Sequence, residues 1–79
     1  MTNIEKYKKA FVEAFEVEPN GIESLKYQEI PAWDSVGHMG LVALIEEAFD
    51  IMLETDDIID FSSFKKGKEI LSSKYGVEF

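Results

Sequence analysis

The chain has 79 residues, 46% of them apolar, with no cysteine, one histidine, and sixteen acids against eight lysines, for a net charge of −8. A length of this order sustains one core, so residues 1–79 are expected to form a single domain with little room for a two-walled catalytic cleft. The charge opposes nucleic acid and anionic membranes as partners, and the cysteine and histidine counts remove disulfides and multi-residue thiolate or imidazole metal sites, so no metal is expected.

From Asn3 to Glu16, the apolar residues Ile4, Tyr7, Phe11, Val12, Ala14 and Phe15 recur at three- and four-residue spacing among Glu5, Lys8, Lys9 and Glu13. This pattern predicts an amphipathic helix with Thr2 or Asn3 as its N-cap. Val17-Glu18-Pro19-Asn20-Gly21 ends it. Met1-Thr2-Asn3-Ile4-Glu5-Lys6 lacks the apolar run of a signal peptide, and no segment approaches the roughly 20 apolar residues of a membrane span. A monomer in the cytoplasm is expected.

Residues 17 to 33 hold Pro19, Gly21 and Pro31 and show no sustained helical period. Ile22, Leu25, Tyr27, Ile30 and Trp33 are enough to pin this segment to a core, which predicts an ordered crossover with one helical turn near Glu23 to Lys26.

Asp34 is a good N-cap for a helix of about four turns running from Ser35 to Phe49. Leu41, Val42, Ile45, Ala48 and Phe49 form its core face. Val36, Met39, Gly40, Ala43, Glu46 and Glu47 form a second face, apolar beside Ser35 and acidic at the far end. Two such faces call for two packing partners, one of them a visitor. Gly37 and Gly40 each cost about 1 kcal/mol relative to alanine, which suggests close approach by either a neighbouring helix or a docking partner. His38 is read as a solvated position, with contact to a partner or a phosphate as its second role.

Thr55 is expected to cap a short helix over Thr55-Asp56-Asp57-Ile58-Ile59-Asp60-Phe61, with acids in its first turn. Ser62 or Ser63 caps a last helix that buries Phe64, Ile70, Leu71 and Tyr75 and stops at Gly76. The fold class is therefore all-α: a four-helix bundle of three longer helices and one short one, with a long ordered loop between the first and second. Tyr7, Phe11, Phe15, Trp33, Phe49, Phe61 and Phe64 are its natural aromatic core. Between Lys26 and Lys65 there is no lysine or arginine, while nine acids occur: Glu29, Asp34, Glu46, Glu47, Asp50, Glu54, Asp56, Asp57 and Asp60.

The run Trp33-Asp34-Ser35-Val36-Gly37-His38-Met39 resembles the Asp-Ser-Leu attachment motif of acyl carrier proteins. Leu44-Ile45-Glu46-Glu47-Ala48-Phe49-Asp50-Ile51 is similar to the acidic end of their second helix. Length, helix order, long first loop and acidity extend the likeness over nearly the whole chain. The resemblance implies that a phosphopantetheinyl transferase attaches 4′-phosphopantetheine from coenzyme A to Ser35, with Asp34 as the motif acid. The arm's thiol then carries acyl groups as thioesters to an acyl ligase, acyltransferase or synthase with a basic docking patch. Val36, Met39, Glu46, Glu47, Asp56 and Asp57 are the residues expected to meet such partners.

Elementary physics agrees that a phosphodiester is welcome at the first turn of a helix, where amides lack partners. Val36 stands where leucine is usual, and Gly37-His38 and Gly40 replace more polar or acidic residues. These departures suit a specialised member in lipid or secondary-metabolite biosynthesis.

An aminoacyl or peptidyl carrier is one alternative, and an unmodified acidic interaction module is another. Hydrolysis by Ser35 with His38 lacks a third member and an oxyanion pocket, so no catalytic residue is assigned and the chain is not expected to be an enzyme. The Asp56-Asp60 segment lacks the spacing and glycine of a calcium-binding EF-hand loop.

Overall fold

A computed structural model describes Met1–Phe79 and contains four helices, α1 Asn3–Phe15, α2 Ser35–Phe49, α3 Thr55–Asp60 and α4 Phe64–Lys74, with a 3-10 turn at Ile22–Ser24 and no strand. Helix α1 begins in a reciprocal cap: the Glu5 amide donates to Thr2 Oγ1 at 3.3 Å and the Thr2 amide to Glu5 Oε1 at 3.0 Å. Those bonds, the Thr2 amide foremost, hold the Glu5 carboxyl below its ordinary range. Glu16 ends the helix in the left-handed region at φ 53°, one residue before the expected stop.

The stripe that α1 buries is Tyr7, Ala10, Phe11 and Phe15. Its main partner is α2, which buries Leu41, Val42 and Ile45, while Ala48 and Phe49 are half-buried. Aromatic rings fill the centre. Phe11 lies 5.0 Å from Phe64 and 5.5 Å from Trp33, and Trp33 stacks on Phe15 at 5.1 Å. Pairs at such separations add to the burial of their area. Tyr7 is fully buried, donates to the Phe64 carbonyl at 2.7 Å, and has its phenol pushed upward by burial.

The long crossover is ordered by backbone bonds to the α3–α4 junction. The Tyr27 amide donates to the Ser62 carbonyl and the Phe64 amide to the Leu25 carbonyl, both at 2.9 Å, forming an isolated bridge between Lys26 and Ser63. The helical turn falls at Ile22–Ser24, slightly earlier than Glu23 to Lys26.

Ser63 caps α4 by accepting from the Lys66 amide at 2.9 Å. Thr55 does not cap α3. Glu54 holds that place and makes no side-chain cap bond, so α3 relies on tertiary ties.

Gly67 is buried, and a Cβ there would lie 2.1 Å from the Phe61 ring and 2.4 Å from the Tyr7 hydroxyl. Gly67 thus marks a close crossing that only glycine permits.

Candidate functional site

Ser35 is the first residue of α2 and is exposed. The turn around it is held by Asp34, whose Oδ1 accepts from the Gly37 amide at 2.8 Å while its carbonyl accepts from the His38 amide at 2.8 Å. Gly37 permits this turn to sit against the crossover, since a Cβ there would lie 1.9 Å from the Ala32 carbonyl oxygen. Ser35 Oγ makes no hydrogen bond, and the amides of Ser35 and Val36 have no acceptor within the protein. Two free N–H groups at the positive end of a fifteen-residue helix form a locale that suits a phosphate ester on the adjacent hydroxyl.

Beside Ser35 lies an open surface groove of about 370 Å³ between α2 and α3, lined by Tyr27, His38, Met39, Ile58, Ile59 and Phe61, with Ser35 and Ser62 at its edge. Val36 and Met39 are exposed as expected, at 79% and 54%, and Ile59 joins them at 71%. Ile59 was not singled out from the sequence. The available signal was a pair of adjacent isoleucines on a six-residue helix, where one of the two must face out.

The expected role of His38 needs correction. It is not solvated: it is 9% exposed and bonded at both ring nitrogens. Nδ1 accepts from the Trp33 indole N–H at 2.9 Å, so the proton resides on Nε2, which donates to the Ile58 carbonyl at 2.7 Å. No ring nitrogen is left for Ser35. At Gly40 no neighbouring helix makes the close approach, because a Cβ there would meet nothing within 4 Å.

The acids divide. Glu47 and Asp56 are exposed. Glu47 lines a separate groove shared with Lys6 and Lys9 of α1, and Asp56 lies in the first turn of α3. Glu46 is half-buried, and its Oε2 accepts from the Leu53 amide at 2.8 Å, so it orders the α2–α3 connection.

Asp57 contradicts its expected partner-binding role. It is 2% exposed, and its carboxylate accepts from Lys74 Nζ at 2.8 Å and from the Tyr75 hydroxyl at 2.5 Å. These bonds, that from Lys74 foremost, hold its carboxyl below the usual range and raise the Lys74 ammonium. Asp57 is buried because its helix packs on α4, a contact seventeen residues away that a local reading does not reveal.

No group of three or more potential metal ligands occurs, and no helix is long and apolar enough to cross a membrane. Comparison with protein-family models, with characterised proteins and with solved structures finds no match to this chain.

Proposed function

We propose that the chain is a carrier, similar to the acyl carrier proteins its sequence resembles, that accepts 4′-phosphopantetheine on Ser35 and presents acyl groups to partner enzymes. The supporting observation is the state of Ser35: an exposed, unbonded hydroxyl at the start of α2, next to two unpaired amides and an apolar groove. In loading, Ser35 Oγ forms an O–P bond to the phosphopantetheinyl phosphorus of coenzyme A as the bond to 3′,5′-ADP breaks. The hydroxyl proton leaves to a base of the transferase, since His38 has no free nitrogen. Asp34 holds the turn through Gly37, and the Ser35 and Val36 amides favour the phosphate's negative charge. When bound, the arm supplies a terminal thiol that holds acyl groups as thioesters.

Partners in this reading are a phosphopantetheinyl transferase and acyl ligases, acyltransferases or synthases with basic patches. The net charge of −8 draws them in, at a rate that falls with salt. Val36 and Met39 provide the apolar centre of the docking face, and Glu47 and Asp56 remain as exposed acids. Catalysis then belongs to the partners, and a cytoplasmic setting is part of the same proposal.

Incubation with coenzyme A and a broad-specificity transferase tests the reading by intact mass. The expected product carries one phosphopantetheine, and Ser35→Ala carries none. A parent protein unchanged in mass leaves the exposed Val36, Met39 and Ile59 as the surface of a non-covalent interaction module.

A further inference from the structure

Resting on the carrier reading, we infer that this protein keeps its cargo outside the helical core, so that the cargo is a short or polar acyl group and not a long alkyl chain. A chain attached at Ser35 and directed inward between α2 and α3 meets His38 one turn along the helix. The imidazole is tied at both ends, to the Trp33 indole and to the Ile58 carbonyl. It is also enclosed by rings, with Tyr27 at 5.3 Å, Phe61 at 5.9 Å and Trp33 stacked at 6.2 Å.

Moving His38 aside strands a buried indole N–H and a backbone carbonyl together, and each such loss is costly. Behind it stands Trp33, 0% exposed and wedged against Phe11 and Phe15, with no flexible methionine to yield space. The groove therefore ends at His38 and stays a surface feature. Tyr27 and Ser62 stand among its mostly apolar lining residues, and neither hydroxyl has a partner within the protein.

Ser35→Cys tests this independently of loading, because the chain has no other thiol. Mixed disulfides with methyl, octyl and dodecyl thiols are compared by melting temperature and by emission of Trp33, the single tryptophan. The expected result is no dependence on chain length: melting points within about 2 °C of one another and an unchanged emission maximum.

A buried octyl chain would instead raise the melting point by more than about 10 °C and perturb Trp33, and that result overturns the inference. The same series on Ser35→Cys with His38→Ala is expected to become length-dependent. Continued indifference overturns the part assigned to His38. If Ser35 gains phosphopantetheine but long chains enter, only the cargo inference falls. If the transferase leaves Ser35 untouched, the carrier reading falls and the cargo assignment falls with it.

Discussion

Helix α3, six residues long and without a side-chain cap, is tied on one side to α2 by the neutral relay Trp33–His38–Ile58 and on the other to α4 by the ion pair of Asp57 with Lys74, which Tyr75 supports. The first tie is buried and joins neutral groups, so added salt does not reach it. The second joins a buried carboxylate to a lysine whose side chain is 57% exposed, so solvent screens it. The neutral tie lies against the groove beside Ser35, and the charged one faces away toward α4. This arrangement keeps the surface near Ser35 constant while the ionic strength varies.

Cutting the neutral tie is the strongest way to break this contrast. Trp33→Ala removes a fully buried indole and is expected to cost about 3–5 kcal/mol. His38→Leu keeps apolar bulk but strands the Trp33 N–H and the Ile58 carbonyl, for about 3 kcal/mol. Against a total stability of about 4–12 kcal/mol for a chain this size, either loss is large. Urea denaturation at neutral pH measures both, and the deficits should be the same in low and high salt. A His38→Leu protein within about 1 kcal/mol of the parent would mean that the relay is not what holds α3.

The two ties also mark the limit of what the sequence makes legible. The cap at Asp34, the choice between Thr2 and Asn3 and between Ser62 and Ser63 for the other two, the bounds of α1, α2 and α4, and the exposure of Ser35, Val36 and Met39 follow from spacing within one or two turns, and the structure agrees, taking Thr2 and Ser63. His38 and Asp57 could not be placed in that way. The Ile58 carbonyl that fixes one and the Lys74 ammonium that fixes the other arrive from elements twenty and seventeen residues distant. Both side chains are polar, so periodicity assigns them to water by default, and only the packing of α3 turns them inward. The groove beside Ser35 was hidden for the same reason, since α3 and the crossover supply half its wall.

The glycines of α2 sharpen the comparison at smaller energies. Gly37 precedes His38 on the tied side and lies under the Ala32 carbonyl, so Gly37→Ala must push backbone apart and is expected to cost about 1–3 kcal/mol. Gly40, two residues after His38, meets nothing, and Gly40→Ala is expected to stabilise by up to about 1 kcal/mol through helix propensity alone. Opposite signs three residues apart, read from the same denaturation curves, would confirm that the first turn of the helix is held against the crossover and the next is open. A loss at both positions would contradict it.

The charged tie should give the smallest effect at neutral pH, and it is the one that added salt weakens. Asp57→Asn keeps the shape and still offers a carbonyl to one of the two donors, while Lys74 can swing its exposed ammonium into water. The variant should therefore fall short of the parent by less than Gly37→Ala does. Because the bonds from Lys74 and Tyr75 depress the Asp57 carboxyl in the folded protein, the unfolded chain binds that proton more tightly. The stability the carboxylate contributes is full above its ordinary value of 3.8 and disappears as pH falls through the lower folded value. Melting curves of parent and Asp57→Asn should thus be separated near pH 6 and converge in acid, and added salt should narrow the gap at pH 6 through screening at Lys74. The Gly37→Ala deficit should not respond to salt. Parallel melting-temperature profiles for parent and Asp57→Asn down to the acid limit would show that Asp57 holds α3 by shape alone, and the two sides of α3 would then no longer differ in kind.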